Sequence, residues 1–317
     1  MSWFTGSEKR HIAVDEAEIC VRTWGNRHQP ALVLLHGFPQ SHVMWHRAAQ
    51  VLQHDYFLVM PDLRGYGDSS KPTAHTQDAQ AQNNQAQHTP APHAQASKRA
   101  LAQDIVSVMD TLGVDQFYLC GHDRGGRVAH RLALDHPARV RKLCVIDIAP
   151  TLDMYNATDM AFASAYYHWF HLIQRYPLPE TMLHAAWKEY LHAKLGGWGS
   201  AGLGYIEAQA LAEYERHFSK IETIHAMCED YRASAGIDLL HDQHSRSQGE
   251  KIACELLVLW GERGVVHRMF RPLPLWQAQC AGQVQGQALP AGHFIPEELP
   301  GATADALTAF FTGSIGP

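Results

Sequence analysis

The chain lacks the features that mark membrane-spanning, secreted or nucleic-acid-binding proteins. None of its apolar stretches approaches the ~18–20 residues needed to cross a bilayer. The first residues, MSWFTGSEKRH, contain no apolar core segment of the kind found in a signal peptide. The formal net charge is −6 and no long basic run occurs, so we expect neither a nucleic acid nor a membrane as a partner. These absences predict a cytoplasmic protein.

The cysteines are not spaced in the way that metal-binding cysteines are. The six cysteines are scattered along the chain and several lie in strand-like runs, so we expect free, buried thiols in a reducing cytoplasm. Most of the 22 histidines must be surface residues without a role. We therefore expect no metal and no other cofactor.

The length of 317 residues allows one large α/β domain with an inserted subdomain.

Large apolar side chains are absent from residues 73–96. This segment is rich in Ala, Gln, His and Pro, and Asp78 is its one charged residue. It has no aromatic residue and no aliphatic residue larger than Ala, so it cannot contribute to a core. We expect a mobile, solvated insertion, in which His75, His88 and His93 would bind a metal only adventitiously.

One stretch, residues 116–137, has the pattern of a strand, a very tight turn and a helix. The apolar run 117–120 is followed by the sequence GHDRG and then by a helical pattern of apolar residues. This is the pattern of a nucleophile elbow, in which Gly121 and Gly125 avoid the crowding that a Cβ would cause at a sharp turn. The central residue, usually a serine, is Asp123.

An aspartate at this position changes the chemistry. The reference pKa of an aspartate is ~3.9, so Asp123 is ionised at neutral pH. A carboxylate is a poor nucleophile towards carbonyls, but it can displace a leaving group from a saturated carbon. Asp123 therefore predicts an alkyl electrophile, with either a carbon–halogen bond or an epoxide. The resulting enzyme ester must be hydrolysed, which requires a water-activating histidine and an oxyanion hole. The alternative role for Asp123 is to cap the following helix.

Candidates for this second step follow other predicted strands. The strand Ala31–Leu35 ends in HGFPQ, and the backbone N–H groups of Phe38 and Arg124 are the two candidates for the oxyanion hole. His293 lies in a Gly-His-Phe turn after the last predicted strand, Val284–Leu289. A hydrolase of this architecture places its base there.

Two carboxylates are candidates for orienting His293. Asp147 lies near the end of a predicted strand at 140–148, and Glu262 follows a predicted strand at 255–260. Both strand ends can reach the histidine. Asp147 is preferred because a buried strand end otherwise has little use for an unpaired charge. The alternative for Asp147 is to cap the segment that follows it.

Two arginines lie at the start of the helix after the elbow. Arg124 and Arg127 are three residues apart and therefore share a face of the helix. Two guanidiniums beside a helix N-terminus form an anion site suited to a bidentate carboxylate. They predict a small substrate that carries its own negative charge. The alternative is that both arginines form surface salt bridges.

The order of predicted elements indicates an α/β fold. Strands alternate with helices, which predicts a mostly parallel central sheet flanked by helices, with active groups at the carboxyl ends of the strands. Residues 151–250 lack strand signals and have helical spacing of Trp, Tyr and His, which indicates an inserted helical cap. We predict core parts at 1–150 and 251–317.

Further elements are predicted around this core. The pattern predicts a hairpin within residues 11–24 and helices over 98–112, 269–281 and 296–312.

The chain resembles the fluoroacetate (haloacetate) dehalogenases of the α/β-hydrolase superfamily. The matching motifs are HGFPQ, DLRGYGDS, GHDRGGRVAHRLALDHP, VIDIAPT, YYHWF, GWG, CEDYR and GHF, which together extend over nearly the whole chain. Only residues 73–96 and the chain ends depart from the pattern. GHDRGG alone is shared with epoxide hydrolases, whereas its combination with YHWF and CEDYR is much more specific.

The resemblance implies a role for each matching residue of the core. Asp123 would be the nucleophile, and His293 and Asp147 would form the pair that activates water. Arg124 and Arg127 would hold the substrate carboxylate. The family also implies the α/β-hydrolase fold and a homodimer.

The resemblance assigns further roles to residues of the predicted cap. His168, Trp169 and Tyr231 would donate hydrogen bonds to the departing halide, and Trp198 would line the pocket. Fluoride is small and strongly hydrated, so it leaves poorly unless N–H and O–H donors replace its water. Without the resemblance, the aromatic run 166–170 would indicate a core cluster of the cap.

The expected function is hydrolysis of haloacetates to glycolate and halide through an aspartyl ester. An epoxide hydrolase with the same Asp123 nucleophile is the alternative. A third possibility, a non-catalytic ligand receptor, requires a missing catalytic part, and no part is missing from the sequence.

Overall fold

Eight strands form one sheet in the computed structural model, which describes residues 3–71 and 93–313. The strand order is β1-β2-β4-β3-β5-β6-β7-β8. The strands β1 to β8 are, in chain order, Glu8–Val14, Ala17–Trp24, Ala31–Leu35, Phe57–Pro61, Phe117–His122, Val140–Ile146, Glu255–Gly261 and Val284–Leu289. The hairpin predicted within residues 11–24 is present as β1 and β2, which pair antiparallel.

The rest of the sheet is mostly parallel, as predicted. Only β2 with β4 adds a second antiparallel pair, and the pairs within the order β4-β3-β5-β6-β7-β8 are all parallel. Every residue of β3, β4 and β5 is buried. Such continuous apolar runs are typical of strands covered on both faces of a parallel sheet.

The register brings five strand ends to one edge of the sheet. Leu35 of β3 is paired with Gly121 of β5, and His122 of β5 with Ile146 of β6. On the other side, β7 ends beside Leu289 of β8. Because the chain leaves each of these strands at the same edge, the segments that follow them meet there.

Helices cover the sheet. Those outside residues 151–250 are α1 His46–Leu52, α2 Lys98–Thr111, α3 Arg124–Asp135, α12 Val265–Met269, α13 Pro272–Gln279, α14 Ile295–Glu298 and α15 Pro300–Thr312. The apolar face of α3 packs on the sheet next to its own strand, β5, so the start of this helix is fixed relative to the strand ends.

A run of helices connects β6 to β7. They are α4 Thr151–Asn156, α5 Met160–Ala165, α6 Tyr167–Leu172, α7 Leu178–Ala185, α8 Trp187–Leu195, α9 Ala208–Phe218, α10 Ile221–Ala235 and α11 Ile237–Ser247. No strand occurs within residues 151–250, all of which the structure describes. The assignment of this segment as a separate cap stays a prediction.

Proline changes the bounds of two predicted helices. The helix predicted over 269–281 is present as α13 but is shorter, because it begins at Pro272 and ends at Gln279. The helix predicted over 296–312 is divided into α14 and α15, since α15 begins at Pro300. Proline has no N–H to donate and disfavours a helical conformation of the residue before it, so it begins a new helix in both places.

The predicted insertion at 73–96 is partly wrong. Residues 73–92, with His75 and His88, lie outside the described residues. Residues Ala94–Ala96 form a single turn of 3₁₀ helix with Ala96 buried. The Nδ1 atom of His93 lies 2.6 Å from Oε2 of Glu229, so the end of the segment is anchored on α10. Residues 93–96 are therefore not fully solvated.

The six cysteines are free, as predicted. Five are buried and Cys254 is half-buried. Burial raises the pKa of the Cys20 thiol to about 12, so this thiol stays protonated at neutral pH.

None of the helices in the described ranges combines the length and apolar character needed to cross a membrane.

Candidate active site

The turn between β5 and α3 has the geometry of the predicted elbow. Asp123 adopts φ 47° and ψ −116°, a conformation that costs energy in a residue with a Cβ. A Cβ at Gly121 would lie 2.4 Å from the carbonyl oxygen of Gly125, and one at Gly125 would lie 2.4 Å from that of His36. Only glycine fits at both flanking positions, so the chain can turn sharply enough to present Asp123.

The two carboxylate oxygens of Asp123 have different neighbours. Oδ1 accepts a hydrogen bond of 2.9 Å from the backbone N–H of Phe38. Oδ2 lies 3.8 Å from Nε2 of His293, which is too long for a hydrogen bond. The side chain does not cap α3, so the alternative of a helix cap does not apply. One oxygen is thus held by the turn after β3, and the other faces the histidine.

The charges around Asp123 favour its ionised form. Burial alone would raise the pKa of this carboxyl, but the positive charges of His293, Arg127 and Arg124 lower it below its usual value. A buried carboxylate that stays charged and is only partly hydrogen-bonded is a competent nucleophile.

The structure places Asp147, and not Glu262, beside His293. Nδ1 of His293 lies 2.6 Å from Oδ2 of Asp147. Oδ1 of Asp147 accepts a hydrogen bond of 3.0 Å from the N–H of Gly261. Glu262 is exposed to solvent. Helix α4 has no side-chain cap, so Asp147 does not cap the following helix either.

The imidazole of His293 is held from several sides. Burial acts to lower its pKa, but the hydrogen bond and charge of Asp147, together with the charge of Asp123, raise the pKa above its usual value. The backbone N–H of His293 donates to the carbonyl of Trp198 at 3.1 Å. Nε2 is therefore the ring nitrogen directed at Asp123.

His122 supports the same loop and was not among the predicted site residues. Its Nε2 lies 2.8 Å from the carbonyl oxygen of His293. Burial lowers the pKa of His122 to about 3, so the ring is neutral and donates this hydrogen bond. Its position in GHD, next to Asp123, was the one signal that the sequence offered.

Arg124 is completely buried and ion-paired. Its Nε donates to Oδ2 of Asp230 at 2.7 Å, and Nη2 donates to the Asp230 carbonyl at 2.8 Å and to Oγ of Ser234 at 2.5 Å. The Nη1 atom has no hydrogen-bond partner among the described residues. Whether the backbone N–H of Arg124 completes the oxyanion hole stays a prediction.

Arg127 is buried without an ion-pair partner in the described part of the chain. Nη1 donates to Oγ1 of Thr151 at 2.8 Å, and the guanidinium lies over the ring of Trp169, 4.8 Å from its centroid. The Nε atom has no partner there. Burial lowers the pKa of Arg127, although the negative charge of Asp123 opposes this. Because both guanidiniums are buried, the alternative of surface salt bridges does not apply.

A chain of rings runs from the histidine base to the turn after β3. The ring centroids of His293 and Trp198 are 5.2 Å apart, those of Trp198 and His168 4.8 Å, and those of His168 and Tyr231 5.5 Å. Phe38 stacks on His168 at 5.8 Å and meets Tyr231 edge-on at 5.4 Å. The structure thus brings three of the four predicted pocket residues of the cap together.

Two of these side chains have buried polar atoms without a partner. Nδ1 of His168 and the hydroxyl of Tyr231 form no hydrogen bond within residues 3–71 and 93–313. Burial lowers the pKa of His168 well below its usual value, so its ring is neutral and has one N–H. Burial raises the pKa of Tyr231, which keeps its O–H.

The contacts of Trp169 and Trp198 are with other protein groups. Trp169 packs against Arg127 and stands 4.8 Å from the ring of Tyr155. The indole N–H of Trp198 donates to the carbonyl of Ala165 at 3.3 Å. No described contact ties the N–H of Trp169 to a partner, and its role as a halide donor stays a prediction.

Elsewhere in residues 3–71 and 93–313, one cluster contains potential metal ligands, namely Cys20, His42 and Asp62. Its polar atoms are already engaged. Oδ1 of Asp62 lies 2.8 Å from Nδ1 of His42, and Oδ2 accepts the N–H of Asp68 at 2.8 Å. Nε2 of His42 accepts from Nε of Arg22 at 3.2 Å. We interpret the cluster as an anchor for the loop after β4.

Comparison with known proteins agrees with this geometry. The model of the family described as alpha/beta hydrolase fold matches residues 30–298. A fluoroacetate dehalogenase from Burkholderia sp is 39% identical, and the match covers 98% of this chain and 95% of that protein. A soluble epoxide hydrolase from Corynebacterium sp. is 28% identical, with 88% of this chain and 89% of that protein covered.

Solved structures show the same architecture. The crystal structure of a protein from Nostoc sp PCC 7120 assigned to the alpha/beta hydrolases has a TM-score of 0.88 at 49% identity, covering 98% of this chain and 99% of that one. A variant of a Pseudomonas aeruginosa protein assigned as an epoxide hydrolase, solved with bound MFA, has a TM-score of 0.85 at 38% identity, covering 97% and 96%. The chain therefore belongs to the alpha/beta hydrolase family.

Proposed function

We propose that the protein hydrolyses haloacetates to glycolate and halide through an ester formed on Asp123. One observation carries this proposal. A buried, ionised carboxylate shares its site with four side chains whose polar atoms have no partner among the described residues: Arg124 Nη1, Arg127 Nε, His168 Nδ1 and the hydroxyl of Tyr231. Two cationic donors suit a carboxylate, and an N–H and an O–H donor suit a departing halide.

In the first step the substrate alkylates Asp123. The substrate carboxylate binds Arg124 and Arg127, which fixes the α-carbon in front of Oδ2. A bond forms between Oδ2 and the α-carbon while the carbon–halogen bond breaks, and the halide leaves with the electron pair. His168 and Tyr231, with Trp169 as a predicted third donor, replace the water that the halide would otherwise bind.

In the second step water cleaves the ester. Neutral His293 takes a proton from water, and the oxygen attacks Cγ of Asp123. The charge that develops on Oδ1 is stabilised by the N–H of Phe38, which already lies 2.9 Å away, and by the predicted donation from Arg124. Asp147 stabilises the imidazolium that forms. The Cγ–Oδ2 bond then breaks, the leaving oxygen takes the proton from the imidazolium, and glycolate leaves with Oδ2 as its hydroxyl oxygen, which returns His293 to its neutral form.

An epoxide hydrolase is the second candidate function. It is supported by the resemblance to the Corynebacterium enzyme and by the shared Asp nucleophile. An epoxide opens to an alkoxide that needs an acid, commonly two tyrosines. Here the candidate donors are Tyr231 and His168 rather than two tyrosines, and the two buried guanidiniums suit an anion better than a neutral epoxide.

The haloacetate proposal also includes a helical cap at 151–250, a homodimer and a cytoplasmic location.

The deciding experiment measures halide release. Fluoro-, chloro- and bromoacetate and one epoxide are tested side by side, with an ion electrode for the halides and diol analysis for the epoxide. We expect halide from the acetates at a higher kcat/KM than epoxide opening. Faster epoxide turnover would replace the proposal by the second candidate. Halide release that persists in Asp123→Asn would exclude the ester mechanism.

The intermediate can be trapped separately. Because His293 acts only in the second step, His293→Ala should keep the ester on Asp123 after incubation with chloroacetate. Intact-mass and peptide analysis locate the adduct. An unmodified protein under conditions where halide has been released once per site would contradict the two-step scheme.

A further inference from the structure

A buried carboxylate on α10 holds the guanidinium of Arg124. Oδ2 of Asp230 accepts hydrogen bonds from Nε of Arg124 at 2.7 Å and from the hydroxyl of Tyr66 at 2.8 Å. Oδ1 forms a short ion pair with Nζ of Lys98. Asp230 is 2% exposed. It thus joins α10 to the loop after β4, to the start of α2 and to the start of α3.

These contacts leave Arg124 with few free donors. Nε is bound to Asp230, and Nη2 is bound to the Asp230 carbonyl and to Ser234. Only Nη1 is without a partner among the described residues. The orientation of this one group is therefore fixed by Asp230, through one hydrogen bond to its carboxylate and a second to its main-chain carbonyl.

Asp230 also balances charge beside the site. Lys98 lies 3.5 Å from Oδ2 of Asp238, so two carboxylates, Asp230 and Asp238, face two cations, Lys98 and Arg124. Arg127, by contrast, has no carboxylate partner in residues 3–71 and 93–313 other than the nearby charge of Asp123. The attraction for an anion comes mainly from Arg127, whereas Arg124 contributes direction.

We propose that Asp230 is a positioning residue that presents Arg124 Nη1 to the substrate carboxylate while neutralising the charge of Arg124. The inference rests on the proposed function, since it concerns how a haloacetate is aligned for attack by Asp123. Neutralising Arg124 lowers the affinity of the site for anions but keeps the substrate aligned. Because the product also carries a carboxylate, the lower affinity makes its release easier.

The test uses Asp230→Asn with two readouts that move in opposite directions. Loss of alignment lowers kcat for chloroacetate by about 10- to 100-fold. Loss of a negative charge beside two guanidiniums tightens the binding of acetate, measured by calorimetry. General damage to the site would lower kcat and weaken acetate binding together, and that result would overturn the inference. So would a kcat within about twofold of the wild type.

A matched control and a milder variant complete the design. Arg131 lies about two turns after Arg124 on α3 and pairs with Asp242 of α11 at 2.7 Å, so Asp242→Asn should leave kcat and acetate affinity unchanged. If Asp230→Asn does not fold, as judged by circular dichroism, Tyr66→Phe decides. It removes one hydrogen bond to Asp230 and keeps the charge, so kcat should fall while acetate affinity stays constant; an unaltered kcat overturns the inference.

Failure of the proposed function gives a different pattern. A wild-type enzyme that releases no halide from any haloacetate refutes the dehalogenase activity, but acetate titration still tests the role of Asp230. Tighter acetate binding in Asp230→Asn then supports the charge balance around Arg124. Equal or weaker binding contradicts it.

Discussion

The two carboxylate oxygens of Asp123 have different surroundings. Oδ1 accepts a hydrogen bond from the N–H of Phe38, and Oδ2 faces His293. In the proposed mechanism Oδ1 would become the carbonyl oxygen of the ester, and Oδ2 would attack the substrate. Ester formation removes the negative charge of Asp123, which is one cause of the raised pKa of His293. In the proposed intermediate the pKa of His293 would therefore fall, and the neutral base would be available when water must be activated.

This asymmetry predicts different pH dependences for the two steps. Because the pKa of Asp123 is lowered, the carboxylate remains charged and alkylation continues at about pH 5. Because the pKa of His293 is raised by Asp147, protonation at that pH removes the base and slows ester hydrolysis. We expect the wild-type ester to accumulate at about pH 5 and not at about pH 8, as measured by acid quench and intact mass. Equal adduct at both pH values would contradict this order.

Tyr231 offers a test of the halide site. Tyr231→Phe removes one donor, and a hydrogen bond to a charged group is worth about 1.5–3 kcal/mol, or roughly 10- to 100-fold in rate. The loss should be larger for fluoroacetate than for bromoacetate, because fluoride depends more on hydrogen bonds. The control is Tyr190→Phe. The buried hydroxyl of Tyr190 also has no hydrogen-bond partner among the described residues, but its ring stacks on Phe218. An equal loss for both halides would remove Tyr231 from the halide site.

The site residues were predictable from sequence where a motif fixes the backbone. Asp123 and His293 follow strands in recognisable turns, and the structure places them together. The choice between Asp147 and Glu262 depended on which strand end faces the histidine, which periodicity does not reveal. Asp230 was not predicted at all, because its partners lie more than a hundred residues away along the chain.

The turn that follows β3 couples the sheet to the nucleophile through one glycine. A Cβ at Gly37 would lie 2.5 Å from Cβ of Asp123 and 2.9 Å from the carbonyl oxygen of His122. Neither neighbour can rotate away, since one is a Cβ and the other is backbone. The close approach of this turn is what brings the N–H of Phe38 to Oδ1.

Gly37→Ala should therefore impair catalysis through the oxyanion hole. Separation of the turn from Asp123 lengthens the hydrogen bond from Phe38, and loss of one such donor costs about 10²–10³-fold in kcat. The measurement is the rate of ester hydrolysis in a single turnover. Gly204→Ala is the control, since nothing lies within 4 Å of a Cβ there. Normal ester hydrolysis in Gly37→Ala would show that Phe38 is not an essential donor.

Strands were easier to predict than helices. The buried parallel strand β3 is a continuous apolar run and has the predicted bounds. The strand β8 also has the predicted bounds, although it contains two glutamines and only its last residue, Leu289, is buried. Helical periodicity continued through Pro272 and Pro300, where the chain begins a new helix. Composition alone suggested a solvated segment up to residue 96, but His93 is paired with Glu229. Local pattern shows which residues are apolar, whereas such ion pairs depend on the tertiary fold.

A buried glutamate connects distant parts of the molecule. The side-chain amide of Gln40, in the turn after β3, donates to Oε2 of Glu297 on α14. The guanidinium of Arg47 on α1 donates both to the Glu297 carbonyl and to the carbonyl of Tyr205, the latter at 2.9 Å. The side chain of Glu297 is inaccessible to solvent, and burial raises its pKa to about 8. No ion pair in the described ranges compensates a charge on it.

Glu297 should make the stability of the whole protein depend on pH. Its pKa rises from 4.5 in the unfolded chain to about 8 in the folded protein, so between these values the folded state binds more protons. The free energy of unfolding consequently falls as pH increases from about 4.5 to about 8 and loses nothing more from this group above that. In Glu297→Gln the side chain cannot ionise, and this contribution is absent.

We expect the difference in Tm between Glu297→Gln and the wild type to shift in favour of the variant from about pH 6 to about pH 9. The reason is that only the wild type must ionise a buried carboxyl or bind a proton at the higher pH. Thermal unfolding followed by circular dichroism at several pH values measures the difference. Other titrating groups, including His293, are common to both proteins and cancel in it. Glu250→Gln, at an exposed position, should give a curve parallel to the wild type. A parallel curve for Glu297→Gln would mean that Glu297 is ionised in the folded protein and that Gln40 and its neighbours stabilise the charge.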